Sequence, residues 1–166
     1  MPSSQLFYED IFKKLNQKGI KYLVAGGVAV NLYGVQRATG DIDLLLAMDR
    51  DNLIKFISLT KDLGLSPKIP VKAEDLADPE KRKSWKADKG MLVFSFIDPQ
   101  NPYLLIDVLT EEPLPFAEVY GRRKNVTAWG IEVAVVSLED LIRLKQMAGR
   151  EQDLADVEAL KKYGSK

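Results

Sequence analysis

Gly26-Gly27-Val28-Ala29-Val30-Asn31-Leu32-Tyr33-Gly34-Val35-Gln36-Arg37-Ala38-Thr39-Gly40-Asp41-Ile42-Asp43 is the stretch on which the fold turns. A glycine pair follows the apolar run Tyr22-Leu23-Val24-Ala25, and two aspartates flanking one isoleucine open the run Leu44-Leu45-Leu46. Alternate side chains of a strand share a face, so Asp41 and Asp43 stand together, about 6–7 Å apart along the chain, with Ile42 turned into the core. Two carboxylates on one rigid face repel unless a cation, a proton or a basic group lies between them. Magnesium suits them, with manganese as the alternative, because such ions take carboxylate oxygen and keep water or phosphate as their other ligands. Without a Cβ, the backbone at Gly26 and Gly27 can approach a phosphate closely, although a glycine pair after a strand is by itself often only a turn. A short helix starting at Val28 would add unpaired N–H groups at the same place.

Working outward, a first helix capped by Ser3 or Ser4 runs to about Lys18, with Phe7, Ile11 and Leu15 on one face. Gly19 ends it and Lys21 to Ala25 is the first strand. Beyond Asp41 to Ala47, the second strand, Asp49 caps a helix that reaches Leu63 with Leu53, Phe56 and Ile57 inward. Residues 65–90 are the least regular. They hold Pro67, Pro70 and Pro79, then Lys81-Arg82-Lys83-Ser84-Trp85-Lys86-Ala87-Asp88-Lys89, five cations against one anion. That window is either a solvated surface segment or an RNA-binding arm in which Lys81, Arg82, Lys83 and Lys86 meet phosphates and Trp85 stacks on a base.

Met91 to Ile97 and Tyr103 to Leu109 flank Asp98-Pro99-Gln100-Asn101-Pro102 and read as an antiparallel hairpin. Asp107 is the one charge in Leu104-Leu105-Ile106-Asp107-Val108-Leu109; buried, it requires a partner, whereas near a strand end it is solvated. Lys124 to Trp129 and Ile131 to Val136 form another β pair around Gly130. Ser137-Leu138-Glu139-Asp140 opens a helix to about Gly149, and a last helix from Gln152 to Tyr163 packs Leu154, Val157 and Leu160.

The expected class is therefore α+β: a mixed, largely antiparallel sheet with helices packed on it, plus two C-terminal helices. At 166 residues one domain is expected, with a core over about 20–110 and the C-terminal β pair and helices over 111–166. Composition, 46% hydrophobic and 29% charged, is that of a globular chain, and 24 basic residues balance 24 acidic ones, so no global field recruits nucleic acid. With neither cysteine nor histidine, disulfides, thiol nucleophiles, Cys/His zinc sites and imidazole bases are excluded. The N-terminal residues show no basic segment followed by an apolar one, and no apolar run reaches membrane-spanning length, which points to a cytoplasmic protein without a membrane partner.

Gly26-Gly27, the Asp41 and Asp43 pair and Asp107 on a later strand, in this order of elements, resemble the nucleotidyltransferase superfold of DNA polymerase beta. Val24-Ala25-Gly26-Gly27-Val28-Ala29, Arg37-Ala38-Thr39-Gly40-Asp41-Ile42-Asp43 and a tail with Lys145, Arg150, Asp153 and Asp156 resemble the prokaryotic stand-alone members, among them toxins of the AbiE type. The resemblance covers about residues 20–160. It implies transfer of a nucleoside monophosphate from an NTP to an acceptor hydroxyl on RNA, a protein or a small molecule. Asp41, Asp43 and Asp107 would hold two magnesium ions, and Asp107 would accept the acceptor's proton. Gly26 and Gly27 would meet the β and γ phosphates, and Lys145 with Arg150 would neutralise the triphosphate, although cations in the last turn of a helix also complement its dipole. Drug- and sugar-modifying relatives are expected to carry a larger second domain. The alternative is a non-catalytic, antitoxin-like module that keeps the fold and binds a protein partner; three intact carboxylates argue against it.

Overall fold

A computed structural model describes residues 4–164. In chain order these form α1 (Ser4–Gln17), β1 (Tyr22–Ala25), α2 (Gly26–Leu32), β2 (Asp41–Leu46), α3 (Arg50–Asp62), β3 (Ser66–Pro67), a 3-10 turn (Ala73–Ala77), α4 (Pro79–Lys89), β4 (Val93–Asp98), β5 (Asn101–Leu109), α5 (Phe116–Gly121), β6 (Lys124–Ala128), β7 (Ile131–Val135), α6 (Leu138–Ala148) and α7 (Glu151–Tyr163). Ser3, one of the two serines expected to cap the first helix, lies outside the described residues, and Ser4 is already helical.

The strands make one mixed sheet in the order β3-β4-β5-β2-β1-β7-β6. Four of its pairings are antiparallel, while β2–β5 and β1–β7 are parallel. The C-terminal hairpin is thus not a separate layer: β7 extends the sheet beside β1. Its turn uses two left-handed residues, Trp129 (φ 53°) and Gly130 (φ 72°), whose twist matches that of the flanking strands. Trp129 tolerates that conformation while stacked on Phe12 of α1, ring centroids 5.7 Å apart.

Alternation along the strands divides the sheet into an apolar and a functional face. Ile42 and Leu44 of β2 align with Ile106 and Val108 of β5, and these with Phe96 and Phe94 of β4, all fully buried. Phe56 of α3 meets Phe96 edge-on at 5.6 Å, and Trp85 of α4 packs on Phe94 at 5.2 Å, so α3 and α4 cover this face. Asp41, Asp43 and Asp107 point to the other. As expected, Asp49 caps α3 by accepting from the Asn52 N–H at 3.1 Å, and Ser137 caps α6 by accepting from the Asp140 N–H at 3.1 Å.

Three expectations are corrected. The helix after the glycine pair starts at Gly26 rather than Val28. The stretch over 65–90 is more regular than its prolines suggest, because Pro79 occupies the first turn of α4, where no N–H is needed, and Asp78 caps it. In α7, Leu154 is 50% exposed; Asp153 and Asp156 face inward beside Val157 and Leu160, because cations wait for them there.

Candidate active site

Asp43 sits at the centre of the functional face, aligned with Ala25 at the end of β1 on one side and with Asp107 of β5 on the other. Asp41 lies two residues earlier, opposite Leu105. The chain turns away from β1 at Gly26 with φ +63°, and a Cβ built there would overlap the Asp43 carboxylate. A Cβ on Gly27 would overlap Thr39. The glycine pair is therefore required by local geometry: one residue lets the carboxylate approach the turn, the other admits the loop that returns the chain to β2.

Burial, then the negative charges of Asp107 and Asp41, push the Asp43 carboxyl up to about 7, against the opposing pull of Lys145 and Arg150. Burial also raises Asp107, with the charge of Asp41 adding to it; a hydrogen bond from Ser95 Oγ to its Oδ1, 2.6 Å, works the other way. Ser95 aligns with Asp107 across the β4–β5 hairpin and was missed in the sequence reading. The available signal was one serine alternating with Phe94 and Phe96 in a hairpin whose register places it beside the acid.

These oxygens are hard donors, and at Asp43 and Asp107 burial and like charge outweigh the pull of Lys145, Arg150 and Lys68, so the donor set fits magnesium or manganese. Among the described residues no three acidic side chains already converge as a metal cage. The Asp107 carboxylate is instead tied to β4 through Ser95.

Lys145, 7% exposed, lies at the C-terminal end of α6 and bridges Asp153 at 3.2 Å and Asp156 at 3.0 Å. Arg150 reaches Asp153 through Nε at 2.7 Å with its side chain largely exposed. Arg37 pairs with Asp156, as does Gln152 through Nε2 at 2.9 Å. Lys145 and Arg150 act on Asp43 through their fields, which places the predicted cations near the predicted carboxylates. No local signal in the motif marks Arg37 for this pairing, because Asp156 lies 119 residues further along the chain.

The basic window is elsewhere on the molecule and is largely committed. Lys81 pairs with Asp75 at 2.8 Å, Lys86 with Glu111 at 2.7 Å, and Arg82 donates to the Leu76 carbonyl. Trp85, 6% exposed, is a core residue and no platform for a base, which corrects that expectation. No helix of the described residues is long and apolar enough to cross a membrane.

The family model described as nucleotidyl transferase AbiEii toxin, Type IV TA system, matches residues 11–165. No curated protein sequence matches the chain. Among solved structures, the lincosamide antibiotic adenylyltransferase LnuA, lincomycin-bound, is similar with a TM-score of 0.62 at 17% identity over 97% of each chain. ANT(2")-Ia in complex with adenylyl-2"-tobramycin gives 0.63 at 16%, over 99% of this chain and 91% of that one. An antigenic nucleotidyltransferase-like protein from Paracoccidioides brasiliensis gives 0.58 at 18%, over 96% and 77%. At such identities the likeness establishes the fold. This chain covers 97% of the first and 91% of the second, so neither of those structures carries the larger second domain expected of drug-modifying relatives.

Proposed function

The chain belongs to the AbiEii nucleotidyltransferase toxin family, and on that premise we propose that it moves a nucleoside monophosphate from an NTP to an acceptor hydroxyl at Asp41, Asp43 and Asp107. The observation that carries this reading is the register of Asp43 with Asp107 on adjacent parallel strands, with the glycine turn packed against the same carboxylate. In the transfer, the acceptor oxygen bonds to the α-phosphorus, the bond to the bridging oxygen breaks, pyrophosphate leaves and the hydroxyl proton is released.

Asp41, Asp43 and Asp107 would hold magnesium, which supplies charge compensation for the triphosphate and a lower pKa for the attacking hydroxyl. Asp107 takes the released proton; its basicity, raised by burial, supports that assignment, and Ser95 holds one of its oxygens, Oδ1, by a hydrogen bond. Gly26 and Gly27 present backbone N–H groups to the β and γ phosphates. Lys145 and Arg150 offset part of the negative potential that Asp107 and Asp41 set up at Asp43, and their pull on its carboxyl supports a role in meeting the triphosphate.

On the acceptor side, the sheet face flanking Asp107 carries Ile97 and Leu105, both half-buried. Such a surface suits a compact, partly apolar hydroxyl compound. RNA held by Lys81, Arg82, Lys83 and Lys86 has less support, because three of these four are engaged within the protein. Replacing all four with Gln and measuring RNA retention at low salt separates the two; retention lost by the variant would favour RNA.

The experiment that tests the transfer is calorimetric titration with each of the four NTPs, with and without magnesium, on wild type, Asp41→Asn and Asp43→Asn. Magnesium-dependent binding lost in both variants is expected. A folded wild type that binds no nucleotide and co-purifies with a stoichiometric partner would replace this reading with the antitoxin-like one.

A further inference from the structure

Arg37 stands where the glycine turn meets the C-terminal helices. It lies in the loop that leads into Asp41, and its guanidinium carbon is 3.6 Å from the position of a Cβ on Gly27, with Thr39 filling the same layer. Nε donates to the Ala38 carbonyl at 3.3 Å and Nη1 to Asp156; among the described residues Nη2 has no protein partner.

Charge around it is uneven. Asp156, 3% exposed, already receives Lys145 and Gln152, and Asp153 receives Lys145 and Arg150. Three cations, Arg37, Lys145 and Arg150, share two buried carboxylates, and the field of Lys145 and Arg150 extends to Asp43. Lys145 alone bridges both acids, and neutralising them does not require Arg37. Pairing with Asp156 instead holds the guanidinium plane against the glycine turn, with Nε and Nη1 committed and Nη2 open. A planar group fixed in this way aims its Nη2 donors for phosphate oxygens, where an ammonium group would offer a point charge.

We infer that Arg37 binds the triphosphate of the NTP through its open Nη2 as the phosphates lie over Gly26 and Gly27, and that Asp156 is the residue that positions it. This rests on the nucleotidyltransferase reading and adds to it a donor-site residue.

The test is calorimetric titration of the full chain and its Arg37→Gln and Arg37→Lys variants, in magnesium, with ATP, GTP, CTP and UTP, the four monophosphates and inorganic tripolyphosphate. Arg37→Gln should weaken the bound NTP and tripolyphosphate by about 10- to 100-fold and leave the monophosphate within about twofold, the range of a charged hydrogen bond. Arg37→Lys should recover only part of the loss. Should Arg37→Gln fail to fold, the Arg37→Gln/Asp156→Asn double variant removes both partners of the pair, and the same comparison applies. Equal loss of mono- and triphosphate affinity, or unchanged triphosphate affinity in a variant whose wild type binds, overturns the inference alone. A wild type that binds no NTP overturns the transferase reading and the inference together.

Discussion

Replacing Asp43 with Asn probes the electrostatics of the site before any ligand enters. The native carboxyl titrates at about 7 instead of 3.8, because it is buried beside Asp107 and Asp41. Between about pH 4 and pH 7 the native state therefore holds a proton that the unfolded chain has released. Stability falls as pH rises through that window and stays at the lower level above it. At ~1.4 kcal/mol per pKa unit, the rise corresponds to about 4 kcal/mol. Water reaching a half-buried group screens it, which leaves about 2 kcal/mol. In a chain of this length that is about 4–8 °C in Tm. Asp43→Asn has no charge to desolvate and should melt higher than wild type by that margin near pH 8 in the presence of a chelator. The gap should close toward about pH 4, where the native wild-type carboxyl is also neutral. Magnesium should raise the wild-type Tm near pH 8 and leave the variant unmoved, and the variant should transfer no nucleotide. Thermal melts by circular dichroism across this pH range decide the matter. A variant that melts at or below wild type near pH 8 refutes the electrostatic account, and one that keeps full transferase activity refutes the metal assignment.

Gly26→Ala forces a side chain into the Asp43 carboxylate at a left-handed backbone position and should cost about 2–4 kcal/mol, read from the urea midpoint; an unchanged midpoint would contradict the packing of the turn. Trp85→Ala should cost about 3–5 kcal/mol as a core truncation, whereas a solvent-facing stacking platform would leave the midpoint where it was. Lys145→Met strips the shared cation from Asp153 and Asp156 and should cost about 3–5 kcal/mol near neutral pH. Burial opposes ionisation of Asp153, but Arg150 and Lys145 hold its carboxyl below the usual range. The wild-type advantage should thus fade as pH drops through about 4, and a variant deficit that persists undiminished in acid would show the loss to be one of packing.

What could be read from the sequence depended on whether the signal was local. The glycine pair, the Asp-x-Asp alternation, the Asp49 and Ser137 caps and the β4–β5 hairpin each reside within a few residues, and each is found where expected. Trp85 could not be assigned a side, because one aromatic among lysines carries no periodicity, and its partner Phe94 belongs to another element. Asn52 shows the same limit. Beside Leu53 it reads as a polar position on a helix surface, yet it is buried and its amide binds the Lys21 N–H and the Lys21 and Ala47 carbonyls, tying α3 to the residue before β1 and the residue after β2. Leu154 satisfied the hydrophobic rule and still lost the inward face to Asp153 and Asp156, because the cations that fix those acids come from residues 37, 145 and 150.

That exchange of leucine for aspartate bears on how the site is assembled. Buried ion pairs are a weak source of stability, since desolvation offsets most of their attraction, and apolar side chains at 153 and 156 would hold α7 down at least as well. What such pairs supply is orientation, because each cation must meet its carboxylate along a hydrogen-bond direction. Asp153 and Asp156 together orient Lys145, Arg150 and Arg37, three cations drawn from α6, the α6–α7 connection and the loop before β2. On the proposed reading the sheet supplies the carboxylates, while α6, the α6–α7 connection and the loop before β2 supply the cations, so the donor site would be complete only when α6 and α7 are seated. Charge-conserving exchange of Asp156 for Glu should accordingly disturb nucleotide affinity more than it disturbs the urea midpoint, and an effect on the midpoint alone would reduce the cluster to a fastening.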